Sequence, residues 1–339
     1  MQPSPRGTLV VDTSFLGDVL CAEPLVRAAA RAFPGEPVDF LTVPGAAPLL
    51  PGHPQLRQTV IFDKRGADRG VTGLWRAARR LRAAGYARAW CTHRSWRTAA
   101  LLALARIPER AGFDNASAAW LYTRRVRYRS DAHEIERNLD FAGGGAWERP
   151  QVFPSSADLA SAAAFTPSEP FVALTPGSLW ATKRWPEERF AELARGLAAA
   201  GTAVAVLGGP DDRELCARIA AAAAGTGAPV ADVSGRTGLR ASYALIARAA
   251  CLVTNDSLPM HLGVAAGVPV IGIYCSTIPA FGFAPRGPRD TVLEVAGLDC
   301  RPCGIHGHQA CPLGHFRCGK DLTAARVLQE VRRHLTTAV

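Results

Sequence analysis

The chain lacks the familiar nucleotide-binding fingerprints. No GxGxxG follows an expected strand, and no GxxxxGK precedes a Ser or Thr. A classical dehydrogenase or P-loop enzyme is therefore not expected. There is also no HExxH and no DxD-type acidic cluster to mark a catalytic metal. Long apolar runs are missing too. Leu9 to Val11 is too short for the core of a signal peptide. The stretch from Leu262 to Pro285 carries no charge, but Gly263, Gly267, Pro269, Gly272 and Pro279 interrupt it. That punctuation suits a buried helix end followed by a buried strand better than a spanning helix. The expected protein is soluble and cytoplasmic. Its nine cysteines are odd in number and come without a secretion signal, which argues against a disulfide framework.

Acidic residues are the minority, 29 against 39 Lys and Arg. The imbalance is local: residues 64–137 hold 17 Lys/Arg against 6 Asp/Glu. A basic segment of this kind implies an anionic partner, whether nucleic acid, an anionic membrane surface or an anionic acceptor. Nucleic acid is not expected, because neither an aromatic-plus-basic RNA motif nor a helix-turn-helix signature accompanies the charge. With 339 residues and 48% hydrophobic content, the chain can build two domains, each with its own core.

Short apolar strands alternate with helical patterns throughout. Strands are expected at Thr8–Asp12, Pro37–Thr42, Thr59–Phe62 and Ala87–Cys91, and a helix at Val71–Ala84. In that helix Val71, Leu74, Trp75, Ala78 and Leu81 share one face. Arg76, Arg79 and Arg80 face away, as a solvated surface or as a contact for membrane or acceptor. Gly143–Gly145 and Pro150–Pro170 read as an interdomain linker. Beyond it, strands are expected at Phe171–Thr175, Ala203–Leu207, Cys251–Thr254 and Val268–Ile273. Helices are expected at Pro186–Ala199, Asp211–Ala224, Arg240–Ala249 and Leu322–Leu335. This pattern implies an α/β protein with two parallel sheets covered on both faces and a ligand cleft between domains.

Three polar turns follow strands. In Thr13-Ser14-Phe15-Leu16-Gly17-Asp18, the aspartate is either an N-cap or a general base. Pro176 to Pro186 combines Gly177, Ser178, Thr182 and Lys183, a suitable pyrophosphate cradle or an ordinary capped loop. In Thr254 to Leu262, Asn255, Asp256 and Ser257 can cap a helix whose free N–H groups attract phosphate, and His261 lies one turn inside.

Together these segments resemble glycosyltransferase family 9, the ADP-heptose:lipopolysaccharide heptosyltransferases. The matching stretches are SFLGDVLCAEPLVRAAARAFP, TPGSLWATKRWPEERFAELA, VLGGPDDRE and NDSLPMHLGVAAGVPVIGIY. The tail CRPCGIHGHQACPLGHFRC resembles the heptosyltransferase II branch. The resemblance implies a GT-B fold with two Rossmann-like domains facing across a cleft. Residues 1–155 would bind a lipopolysaccharide inner-core acceptor and residues 156–339 the ADP-heptose donor. It further implies inverting transfer without a catalytic metal or other required cofactor. Asp18 would be the base; Ser178, Lys183, Asp256 and Ser257 would hold the diphosphate; His261 would lie near the sugar. Asp211 or Asp212 would meet the ribose. Arg94, Arg97 and Arg137 are acceptor-side candidates, with contact to the cytoplasmic membrane face. Leu258 departs from the family, which usually has Gly there. Other open readings are a different nucleotide sugar or a catalytically inactive binding member. The cluster Cys300-x2-Cys303-x7-Cys311-x6-Cys318 has spacing for structural zinc or an iron–sulfur centre, or holds reduced structural thiols.

Overall fold

The computed structural model describes residues 7–167 and 170–336. The chain divides into two compact units, one ending at Phe153 and one beginning at Pro154.

The first unit begins with β1 (Thr8–Val11), α1 (Leu16–Cys21) and α2 (Glu23–Ala32). Pro24 stands in the first turn of α2 and separates it from α1. Then come β2 (Val38–Thr42), β3 (Leu56–Ile61), α3 (Gly70–Ala84) and β4 (Arg88–Cys91). Gly85 closes α3 in the left-handed conformation, φ 69°, which costs glycine little. The unit finishes with α4 (Trp96–Leu104), β5 (Glu109–Phe113), β6 (Arg124–Val126) and α5 (Glu134–Leu139). All six strands are parallel, in the order β3-β2-β1-β4-β5-β6. Leu9, Val11, Leu41, Leu74, Leu81, Leu101 and Leu102 pack into one apolar layer beneath α3 and α4.

The second unit starts with α6 (Ser156–Phe165), inside the stretch expected to be a linker. Its alanines favour helix, and a Ser155–Asp158 capping box starts it. Asp158 also pairs with Arg240 at 2.9 Å, which ties α6 to this unit. Weak amphipathicity hid it from periodicity. Next come β7 (Phe171–Thr175), α7 (Glu187–Ala199), β8 (Ala203–Val206), α8 (Arg213–Ala223) and β9 (Val230–Asp232). They are followed by α9 (Leu239–Ile246), β10 (Cys251–Asn255), α10 (Leu258–Ala266), β11 (Val270–Tyr274) and β12 (Thr291–Glu294). A short α11 (Arg317–Lys320) and α12 (Ala324–Thr336) complete it. This sheet is also all parallel, in the order β12-β11-β10-β7-β8-β9.

Both orders are the doubly wound arrangement, so the expected pair of Rossmann-like sheets is present. Each chain path reverses beside its first strand: between β1 and β4, and between β7 and β10. Loops at the carboxyl ends of those strands splay apart and leave a crevice, the usual ligand position in such sheets. The uncharged stretch from Leu262 resolves into the end of α10 and then β11. Among the described residues no helix is long and apolar enough to cross a membrane.

Candidate active site

In the first unit, Asp12 directly follows β1 and is buried. Its carboxylate accepts the Ser14 N–H at 2.8 Å, the Ser14 hydroxyl, and the Thr92 hydroxyl at 2.6 Å. These bonds fold the loop after β1 against the end of β4. Thr13 Oγ1 lies 2.7 Å from His93 Nδ1 and 3.0 Å from Thr98 Oγ1, and Lys64 Nζ donates to the Thr13 carbonyl at 2.6 Å.

Asp18 is the third residue of α1, where its carboxylate accepts the Phe15 N–H at 3.2 Å. It is therefore not the N-cap, which is Phe15. Burial, and then the neighbouring negative charges of Asp12 and Glu134, raise its pKa to about 7; bonds from Ser14 and Phe15 oppose this only in part. Glu134, from α5, is held up by burial as well. Burial also lowers the pKa of His93, with the Lys64 and Arg94 charges adding to the effect and Asp12 opposing it. His93 is thus neutral at neutral pH.

The three acceptor-side arginines differ. Arg94 is exposed, and its guanidinium lies 4.5 Å from the centre of the Tyr128 ring. Arg97 is half-buried and donates to the Asp68 carbonyl at 2.8 Å. Arg137 is buried, pairs with Glu134 at 3.0 Å and donates to the Tyr128 hydroxyl at 2.7 Å. A guanidinium so enclosed supports Glu134 and Tyr128 from beneath rather than meeting an acceptor directly.

In the second unit, the loops after β7 and β10 are bound to each other. Asn255 does not cap α10. It lies buried at the end of β10, accepts the Trp185 N–H at 2.9 Å and donates to the Pro176 carbonyl at 2.8 Å. Trp185 is fully buried and donates its indole N–H to the Leu322 carbonyl at 3.0 Å. Lys183 Nζ lies 2.7 Å from Asp256 Oδ2, which also accepts the Thr277 hydroxyl at 2.7 Å. Asp256 is therefore also unavailable as a cap. Ser257 is the N-cap of α10 by backbone, but its hydroxyl reaches toward the Gly177 and Asn255 carbonyls, each at 3.4 Å. No side chain caps α10: Pro259 has no N–H, the Met260 N–H donates to the Ser257 carbonyl at 3.1 Å, and the Leu258 N–H heads the helix.

His261 is buried one turn into α10. Burial lowers its pKa to about 4; Asp256 opposes the shift and Lys183 adds to it. A neutral imidazole results, able to donate or accept without adding charge. Ser178 is half-buried in the same loop, and its carbonyl accepts Arg184 Nε at 2.7 Å. Asp212 accepts the Gly209 N–H at 2.9 Å and lies against Gly177, where a Cβ would come within 2.5 Å of its carboxylate. Asp211 is exposed.

The cysteine-rich segment packs directly behind Lys183. Thr182 N–H donates to the His308 carbonyl at 2.9 Å, and the His308 N–H donates to Thr182 Oγ1 at 2.7 Å. Cys303 N–H donates to the Ser276 carbonyl, and the Trp180 and His306 rings stack at 6.1 Å. Cys300, Cys303, Cys311 and Cys318 are free thiols. Burial raises the pKa of Cys303, to which the charges of Cys300 and Cys311 add. Among the described residues no group of three or more His, Cys, Asp or Glu side chains is arranged to hold a metal ion.

Asp12, Lys64, Tyr128, Glu134, Ser276 and Thr277 were not singled out from the sequence. Asp12 had a usable signal, a carboxylate directly after a fully apolar strand. The others join the site only through tertiary contacts.

The sequence pattern of Glycosyltransferase family 9 (heptosyltransferase) matches residues 74–312. Lipopolysaccharide heptosyltransferase 2 of Salmonella typhimurium is 26% identical over 97% of this chain and 98% of its own. Lipopolysaccharide heptosyltransferase 1 of Pseudomonas aeruginosa is 28% identical over 87% of this chain and 85% of its own. The solved structure of Escherichia coli ADP-heptose lps heptosyltransferase II superposes with a TM-score of 0.81 at 25% identity, covering 98% of this chain and 99% of that one. A family 9 glycosyltransferase from Veillonella parvula, at 21% identity and a TM-score of 0.86, covers 99% of both chains and shares the fold. The GT-B class expected from the sequence agrees with these likenesses.

Proposed function

Because the chain belongs to glycosyltransferase family 9, we propose that it transfers heptose from ADP-heptose to the inner core of lipopolysaccharide at the cytoplasmic membrane face. Relatives matched over nearly their whole length are heptosyltransferases that act on lipopolysaccharide, and a solved neighbour uses ADP-heptose. The observation that carries the mechanism is the raised pKa of Asp18 at the β1 switch point. A carboxyl titrating near neutrality is matched to the work of a general base.

In this reading Asp18 takes the proton of the acceptor hydroxyl. The hydroxyl oxygen forms a bond to the anomeric carbon from one side while the bond to the donor phosphate breaks on the other. The bonding electrons leave with ADP, and a single displacement inverts the anomeric centre. Charge grows on the diphosphate during the step. In this reading Lys183, the head of α10 and the hydroxyls of Ser178 and Ser257 stabilise it in place of a metal. Lys183 reaches the diphosphate by loosening its pair with Asp256. Neutral His261 stands beside the sugar, and Asp212 beside the ribose. Arg94 and Arg97 attract the anionic acceptor, with Arg137 behind them holding Glu134.

A second reading, transfer from another nucleotide sugar, is favoured by Leu258 and Pro259, which add side chains and remove one N–H at the head of α10. One assay separates the two: turnover of ADP-heptose, beside a panel of other nucleotide sugars, on a heptose-deficient lipopolysaccharide acceptor. Transfer from ADP-heptose alone is expected. Transfer only from another donor, or from none, overturns the proposal.

A further inference from the structure

The segment between β12 and α11 supplies no group to the transfer step, yet it is built against the loop that carries Lys183. It has no helix or strand of its own, so its shape is set by what it leans on. Both ends are pinned. Near the first, Arg301 donates to the Val295 carbonyl at 2.9 Å and the Thr277 carbonyl at 2.6 Å, and pairs with Glu294 at 2.8 Å. At the second, Cys318 joins the buried cluster that holds Trp185 and Leu322.

Between these anchors the segment grips Thr182. The Thr182 N–H donates to the His308 carbonyl at 2.9 Å, and Thr182 Oγ1 accepts the His308 N–H at 2.7 Å. Thr182 Oγ1 also lies 3.0 Å from Ser276 Oγ, and the Ser276 carbonyl accepts the Cys303 N–H at 3.0 Å. Thr182 and Ser276 are both buried, so these bonds are shielded from competing water. Gly307 makes the closest approach. Its φ is 80°, and a Cβ there would stand 2.8 Å from Ser276 Oγ, 2.9 Å from Thr182 Oγ1 and 3.2 Å from Lys183 Cγ. Only a residue without a side chain lets this backbone press on the stem of Lys183. That stem is otherwise a flexible chain with much rotamer freedom to lose. A wall along one side removes part of that freedom before any ligand arrives, which lowers the cost of binding.

We propose that residues 303–308 are a strap that positions Lys183 for the donor diphosphate. Thr182, Gly307 and His308 are its positioning residues and act through Lys183. The inference rests on the reading of Lys183 as a diphosphate ligand, and it gives the cysteine-rich segment a task that needs no chemistry at the thiols.

Calorimetry with ADP on the full chain tests it. Gly307→Ala pushes a methyl group toward Thr182 and Lys183, and should raise the Kd about tenfold. Thr182→Val keeps the shape but leaves the His308 N–H without its acceptor, and should do the same. Thr182→Ser keeps the hydroxyl and should bind like wild type. Once Lys183→Ala is in place, Gly307→Ala should add nothing further, because coupled residues are not additive. Steady-state kinetics should place the loss in the donor KM and kcat, with the acceptor KM unchanged. Wild-type affinity in Thr182→Val overturns the proposal, and so does a Gly307→Ala loss that adds in full to that of Lys183→Ala. Affinities that follow the melting temperature rather than the Thr182 hydroxyl overturn it as well. If Gly307→Ala does not fold, the Thr182→Val and Thr182→Ser pair decides. ADP binding without ADP-heptose turnover overturns the proposed transfer and leaves the strap standing, whereas a wild-type chain that binds no ADP overturns both.

Discussion

Asp18→Asn removes the proton acceptor and little else. The amide oxygen can still accept the Phe15 N–H that Asp18 holds at 3.2 Å, so α1 should form as before. Loss of a general base costs about 10² to 10⁴ in rate, or roughly 3 to 5 kcal/mol of barrier. The wild-type pH profile carries a second signature. With Asp18 titrating at about 7, kcat/KM should rise roughly tenfold per pH unit on the acid side and level off above neutrality. Glu134→Gln should move that rise to lower pH, because it removes a charge that holds the Asp18 pKa up and frees the Arg137 cation to act in the same direction. Stability runs the other way. A carboxyl with a raised folded pKa keeps its proton in the native state after the unfolded chain has lost it. Native stability therefore falls as pH climbs from about 4 toward 7. Asp18→Asn relieves that cost and should melt at or slightly above the wild-type temperature at alkaline pH. Steady-state kinetics, calorimetry with ADP and thermal melts across pH check all three. Turnover near wild type in Asp18→Asn, or a wild-type rise centred near pH 4, would refute the assignment.

Lys183→Ala should weaken ADP binding about tenfold to a hundredfold, the scale of a lost charge-assisted hydrogen bond, and lower kcat as well; unchanged calorimetry and kinetics would remove Lys183 from the site. Gly177→Ala would force a Cβ within 2.5 Å of the Asp212 carboxylate. It should weaken ADP binding while leaving the Asp18-dependent pH profile in place, and wild-type affinity would detach Asp212 from the donor. Activity is expected to survive EDTA, and loss of transfer at full folding, restored by Mg²⁺ or Mn²⁺, would contradict the metal-free step. Elemental analysis of the same sample decides between structural zinc or iron and reduced structural thiols at Cys300, Cys303, Cys311 and Cys318, which are not paired in disulfides.

Much of the fold was legible along the chain. Fully buried central strands such as β1, β7 and β10 announce themselves as apolar runs, because both faces of a parallel sheet are covered. The edge strands β6, β9 and β12 went unread, and so did β5, which lies beside β6. β6 is Arg124-Arg125-Val126 and β9 is only Val230–Asp232; their strand character comes from the neighbour they pair with, not from their own residues. α6 escaped for a related reason: alanine favours helix without marking a face.

For the site, the sequence by itself determined which polar turns were candidates for the chemistry. Polar turns directly after strands must end up at the carboxyl edge of the sheet, so Asp18, Lys183 and Asp256 could be named without coordinates. What those groups are chemically was decided only by the tertiary structure. The Asp18 carboxyl titrates near neutrality because burial raises its pKa and the negative charges of Asp12 and of Glu134, distant in sequence, add to it. Asn255 and Asp256, plausible helix caps in sequence, became a strut and the counterion of Lys183. Arg137, plausible as an acceptor contact, became the buried partner of Glu134. Chain order specifies covalent neighbours and local periodicity, whereas protonation and pairing depend on distance and on how much water is excluded, and both are properties of the packed molecule.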